Sequence, residues 1–216
     1  MRIRNRKLAA LSIAGIAMLG LAACAPMADE PAAEEPSMEA PDDSGMDNAA
    51  FDDLVGPGCE DYATQVPDGD GSIVGMSTLQ VTDAAAANPI LTSLVKAVSG
   101  EMNPDVDLVS TLNGGEFTVF APVDDAFAKL DAATLETLST PEGAETLSKV
   151  LTYHVVPGQI LPEDLSGEYE TAEGSMVTVS GSGDMLKVDD ANVICGGVHT
   201  ANATVYLIDS VMMPAE

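Results

Sequence analysis

The chain has 216 residues, of which 35 are acidic and eight basic, giving a formal net charge of −27. That balance excludes nucleic acid as a partner, because polyphosphate binding needs clustered Lys and Arg. With 46% hydrophobic residues the chain can bury one sizeable core, but it is too acidic to rest on anionic lipid without an anchor.

Residues 1–23 read as an export address. Arg2, Arg4, Arg6 and Lys7 form a positive start, and Leu8 to Gly20 is an apolar run too short to span a bilayer comfortably. Leu21-Ala22-Ala23-Cys24 resembles a bacterial lipobox, so cleavage before Cys24 and its acylation would hold the mature protein at a membrane by its N-terminus. The alternative is an ordinary signal peptide in which Cys24 is incidental. The expected location is exported, lipid-held at the cell surface or on a periplasmic face. Four basic residues leave with the leader, so the mature chain keeps four lysines, no arginine and a formal charge of −31. A surface adapted to high salt explains this acidity more simply than cation binding.

Residues 24–54 read as an acidic, proline-rich tether. Pro26, Pro31, Pro36 and Pro41 stand among carboxylates with no lysine or arginine and little to bury, so the segment is expected to stay extended.

Residues 55–216 are one domain's worth of chain. Thr82 is placed as the cap of an alanine-rich helix ending at Asn88-Pro89, and Leu91, Leu94, Val95 and Val98 follow at helical spacing to Gly100. A short turn or helix over Val106 to Leu112 precedes the run Phe117 to Ala121, which reads as a buried strand stopped by Pro122. Asp124 is expected to cap the helix that Phe127 and Leu130 face inward. Ala132 to Leu138 is helical, and Thr140-Pro141 starts a helix with Leu147, Val150 and Leu151 on its apolar face. The period then changes: Val177 and Val179 alternate with Thr178 and Ser180, and short runs at 186–188, 191–195 and 204–212 are punctuated by Gly and Asp. Helices first and strands last argue an α+β domain, a mostly antiparallel β-sandwich or wedge with several α-helices packed on one side.

Three stretches resemble the signatures of the fasciclin domain: Glu116 to Leu130 its first box, Leu151-Thr152-Tyr153-His154-Val155-Val156-Pro157-Gly158 its Tyr-His segment, and Ala201 to Pro214 its second box. They occur in the family's order, and the resemblance covers about 73–214. Leu54 to Cys59 and Val193 to Val198 make the chain similar, more narrowly, to the single-domain secreted and lipid-anchored fasciclin antigens of actinobacteria. The resemblance implies a fasciclin-like fold, an adhesion or protein-interaction role and no enzymatic activity or cofactor. The implied partner is a surface or extracellular protein or polysaccharide, with weak self-association and membrane contact through the acyl anchor only. In animal members an Asp-Ile pair before the second box has been linked to integrin recognition. The matching positions are Gly197-Val198, so that aspartate is absent. The candidate contact residues that remain are Tyr153, His154, Val198, His199 and Asn202.

Few residues suggest chemistry. Cys59 and Cys195 are the cysteines left once Cys24 is acylated. In an exported protein they are expected to pair, closing a loop worth about 4–5 kcal/mol at most in the chain-entropy model. The competing reading, Cys195 with His199 on a metal, lacks further ligands. No Gly-x-Ser-x-Gly elbow occurs, and Gly181-Ser182-Gly183 falls in a turn. His154 is expected half-buried with one ring nitrogen bonded to backbone. Asp68-Gly69-Asp70-Gly71-Ser72 starts like a calcium loop, but Ile73 and Leu79 stand where a glycine and a bidentate glutamate are needed, so no metal is assigned. Asn202-Ala203-Thr204 fits a glycosylation pattern by chance.

Overall fold

The computed structural model describes residues 47–214. The export signal, Cys24 and the tether up to residue 46 lie outside them.

The helices come first: α1 (Asp47–Asp52), α2 (Cys59–Gln65), α3 (Ile73–Met76), α4 (Val81–Ala87), α5 (Thr92–Val98) and α6 (Val109–Leu112). Strand β1 (Phe117–Pro122) follows, then α7 (Asp124–Ala128), α8 (Ala132–Leu138), a 3₁₀ turn at Pro141–Gly143 and α9 (Ala144–Tyr153). The remaining strands are β2 (Val155–Pro157), β3 (Gly167–Glu170), β4 (Met176–Ser180), β5 (Lys187–Val188), β6 (Ala191–His199) and β7 (Ala203–Ile208).

The seven strands form one ladder in the order β2-β1-β7-β6-β5-β4-β3. Every pairing is antiparallel except β1 with β7, which run parallel from Phe117 opposite Ala203 to Pro122 opposite Ile208. The expected α+β class and fasciclin-like fold are found. The sandwich is made by a single sheet, with β6 paired to β7 on one side and to β5 on the other.

Alternation along the strands sorts side chains into two cores. Val119 and Ala121 of β1 and Val205 and Leu207 of β7 face the helices, packing with Leu94, Leu112, Leu147 and Leu151. Phe120, Tyr206 and Ile208 face the other way and meet Val177, Val179, Val188 and Val193. Residues at opposite ends of the ladder share this second core, so the sheet curls back on itself. Phe120 and Tyr206 lie with ring centroids 5.8 Å apart and are fully buried. Each such ring removes roughly 150–250 Å² from water.

Two caps differ from expectation. Helix α4 starts at Val81, so Thr82 lies within it, and its hydroxyl donates to Asn113 Oδ1. Asp124 caps a neighbouring helix: its Oδ1 accepts from the Ser93 amide of α5 at 2.7 Å, while its own amide donates to Ile90 O. The strand-turn-helix signature is thus bolted to α5, a contact that local sequence could not disclose. Ser72, within the stretch that begins like a calcium loop, caps α3 by accepting from the Gly75 amide.

The domain also begins earlier than composition implied. Ala50 is buried and Leu54 packs on the core, so 47–54 is part of the fold rather than tether.

Candidate functional site

The strap from Asp47 to Gly58 is laid against β6 and held at four points. Val55 and Gly196 exchange two backbone hydrogen bonds, of 3.0 and 2.7 Å, and the Gly58 amide donates to Ile194 O at 2.9 Å. Cys59 and Cys195 form a disulfide, with their Cα atoms 4.7 Å apart. His199 Nε2 lies 2.8 Å from Asp53 Oδ2, both side chains partly exposed. Backbone approaches backbone so closely that side chains have no room. At Gly197, where φ is +76°, an added Cβ would collide with the Asp53 carbonyl oxygen, and at Gly196 with the Tyr206 ring. The missing aspartate of the animal Asp-Ile pair therefore has a physical explanation: the strap occupies its place.

The Tyr-His segment closes α9 onto the sheet. Tyr153 hydroxyl donates to Asp189 Oδ2 at 2.8 Å and lies 3.1 Å from Met176 O. Burial, reinforced by the Asp189 carboxylate, pushes that phenol up to about 12. Asp189 holds a left-handed conformation, φ 51°, that Asp tolerates better than most residues, and its other oxygen accepts from the Thr178 amide. His154 uses both ring nitrogens: Nδ1 lies 2.7 Å from Val150 O, and Nε2 is 3.0 Å from the amide of Met212. An amide can only donate, so Nε2 accepts, the proton sits on Nδ1, and the ring is neutral. Burial pushes its pKa down to about 4. The residue is therefore fully buried and doubly bonded, where the sequence suggested half-burial and one bond.

Asn202 is a third fixed point. Its Oδ1 accepts from the Val81 amide, and its Nδ2 donates to Leu112 O and Gly115 O. An amide engaged in this way cannot receive a glycan in the folded protein.

Of the five candidate contact residues, Tyr153, His154, Val198 and Asn202 are buried, and only His199 reaches solvent. They form no common surface patch, because their polar groups are satisfied inside the fold. Asp53 and Asp189 were missed by sequence reasoning, and Gly197 was placed only as the position where the animal aspartate is absent. The signal available was the Gly196-Gly197 pair inside an otherwise strand-like run, which marks close backbone approach. Val198, by contrast, is simply core. Cys195 is bonded to Cys59, so it does not pair with His199 on a metal.

A sequence model of the fasciclin domain matches residues 90–214. The cell surface glycolipoprotein MPB83 of Mycobacterium bovis is 54% identical over 162 residues, covering 75% of this chain and 73% of that one. The immunogenic protein MPB70 of the same species is also 54% identical over 162 residues, covering 83% of its own length. Protein sll1483 of Synechocystis is 41% identical over 140 residues, 64% of this chain and 75% of the relative. Among solved structures, the FAS1 domain pair of the insect cell adhesion molecule fasciclin I superposes with a TM-score of 0.55 at 17% identity. It covers 66% of this chain, which spans about half (53%) of that pair, and at this identity the likeness concerns the fold alone. No helix among the described residues is long and apolar enough to cross a membrane. With the signature boxes built into one curled sheet and its helical layer, and with relatives at this identity, the chain belongs to the fasciclin-domain family.

Proposed function

We propose that this is a lipid-anchored cell-surface protein whose fasciclin domain, carried on an acidic tether, binds a protein or polysaccharide at the surface or in the surrounding matrix. The observation that carries the reading is the 54% identity over 162 residues to a protein described as a cell surface glycolipoprotein. Leu21-Ala22-Ala23-Cys24 supplies the site for the anchor, residues 1–23 the signal, and 24–46 the tether. The strap continues that tether, so it enters the domain at β6. Detergent partitioning and intact mass of wild type and Cys24→Ser test the anchor. Quantitative release of the variant, with loss of the acyl mass, is expected; unchanged mass and membrane fractionation would overturn it. Pull-down of the soluble Cys24→Ser protein against matrix components, polysaccharides and whole cells tests the partner.

One observation favours a second reading, an envelope-stabilising lipoprotein without a dedicated ligand: four of the five residues expected at a contact surface are buried. A protein that retains nothing in the pull-down, while its deletion weakens the envelope, decides for that reading.

A further inference from the structure

The methionines of this domain are placed differently from its other aliphatic residues. Residues 47–214 hold 40 Leu, Ile and Val, and none of them is exposed, whereas three of the six Met are. Met185 is 76% exposed, Met176 52% and Met213 49%. A surface that merely tolerated apolar bulk would show it first in the commoner residues, so what this surface retains is the thioether.

The three exposed methionines stand apart from what holds the fold together. Met185 lies in the connection between β4 and β5, Met176 opens β4, and Met213 follows β7. None of them packs on either core. The other three do. Met76 is buried with Asn88 Nδ2 3.8 Å from its sulfur, Met212 is buried with its amide held by His154, and Met102 is half-buried against the helical core. Other readily oxidised side chains are withdrawn among the described residues. Trp is absent, Cys59 and Cys195 are bonded to each other, Tyr62, Tyr153 and Tyr206 are buried, and Tyr169 is half-buried.

We infer that Met176, Met185 and Met213 are oxidation sites, which consume a hypohalous acid at the surface of the domain and spare its core. The sulfur lone pair attacks the halogen, and the halogen–oxygen bond breaks to release hydroxide. Water then adds to the halosulfonium sulfur, the halide leaves with the bonding pair, and the two protons of that water are lost, one of them to the hydroxide. Sulfur gives up two electrons and the halogen takes them, so the products are a sulfoxide, a halide ion and a proton. A hypohalous acid reacts before the fold opens, so exposure alone selects the sulfur; a slow peroxide leaves time for local opening to present Met76 and Met212 as well. At the three exposed positions the polar sulfoxide stands in water, whereas in the core it would break packing.

The test doses the purified full-length protein with substoichiometric hypochlorous acid and reads sulfoxide at each methionine by peptide mapping, once folded and once in guanidinium chloride. In the unfolded chain the methionines should react alike. In the folded protein each of the three should carry at least about tenfold more sulfoxide than Met76 or Met212. At higher doses, wild type with all three oxidised should melt within about 2 °C of untreated protein. A variant combining Met176→Leu, Met185→Leu and Met213→Leu keeps the apolar bulk and lacks the sulfur, so it should lose its melting transition at a dose of oxidant that wild type withstands. Buried sulfurs that react as fast as the exposed ones in the folded protein overturn the inference. So does a variant that withstands the oxidant as well as wild type, which would mean that these side chains serve only as apolar bulk.

Discussion

Asn202 places its side-chain oxygen 2.9 Å from the backbone amide of Val81, 121 residues earlier in the chain. The Nδ2 of the same Asn202 side chain donates to the carbonyls of Leu112 and Gly115. One side chain at the entrance to β7 therefore caps α4, ends α6 and fixes the approach to β1. In this fold a helix start is satisfied by a residue of the β6–β7 turn, because α4 opens on Gln80, which offers no side-chain cap.

Replacing Asn202 by Ala leaves one amide and two carbonyls without that partner in a buried place. The expected loss is about 2–4 kcal/mol, or about 5–12 °C in melting temperature for a domain of this size. Asn202→Asp should be no better, since it keeps the acceptor but sets a carboxylate against two carbonyls. Differential scanning calorimetry decides it: melting within about 1 °C of wild type for Asn202→Ala would show that water replaces the bonds at no cost.

Gly197 carries two constraints, a positive φ and contact with the strap, and a control separates them. Gly158 has φ +92° with no atom within 4 Å of an added Cβ, whereas at Gly197 the Cβ meets the Asp53 carbonyl. Gly158→Ala should cost only the left-handed penalty of about 1–2 kcal/mol. Gly197→Ala should cost clearly more and free the strap, read as proteolytic cutting between residues 47 and 57 ahead of any cutting elsewhere. Equal losses in the two variants would mean that the strap yields easily.

How much of this was legible follows from the range of the forces involved. The strand ending at Ala121-Pro122 and the helix over 132–138 are set by residues within one turn or one ladder step, and composition reveals them. The alternation of Val177 and Val179 survives in the same way, because those residues face the inner core while Thr178 is exposed. What was hidden depends on partners distant in sequence. Asp124 reads as a cap for its own helix but serves α5, and β1 pairs in parallel with a strand more than 80 residues away. The strap looks like linker because Asp, Pro and Gly interrupt its few apolar residues, yet Gly56 and Gly58 are there to let it lie on Ile194. Tyr153, His154 and Asn202 are candidate contacts through the family resemblance, with His154 expected half-buried and bonded once; their remaining bonds reach partners that local sequence does not name, from Asp189 to Met212 and Val81.

His154 gives a pH dependence whose sign is fixed by its bonds. The folded protein holds the neutral ring, with a pKa pushed down to about 4 from an ordinary 6.5. Above pH 6.5 both folded and unfolded states are neutral and the contribution is fully present. As pH falls from 6.5 towards 4 the unfolded state alone takes up the proton, so stability declines by up to about 3 kcal/mol in total. Nitrogen-15 NMR of labelled histidine should show His154 neutral down to about pH 5, with the proton on Nδ1. A midpoint near 6.5 would contradict the buried, doubly bonded ring.

Salt should stabilise this protein, and the competing terms can be ranked. Thirty-five carboxylates face four lysines in the mature chain, and among the described residues one lysine–carboxylate pair forms, Lys129 with Asp209 at 3.2 Å. Burial works against the Asp209 charge, but hydrogen bonds from Asn192, Lys129 and Ser210 outweigh it and hold the carboxyl down at about 2. Screening weakens the Lys129 contact, which is exposed and worth at most about 1 kcal/mol. It also relieves repulsion among most of the remaining carboxylates, a term summed over the whole surface, so the second effect dominates. Between about 10 mM and 1 M salt, where the screening length shrinks from about 30 Å to 3 Å, the melting temperature at pH 7 should rise. The same screening lets like-charged copies approach, so weak self-association should appear in sedimentation velocity at the high end and vanish at the low end. Lys129→Ala sharpens the test: if salt acts by relieving repulsion, the variant melts lower than wild type at every salt concentration but gains at least as much from added salt. A melting temperature that stays flat in both proteins would show that unpaired acidity does not limit the stability of this fold.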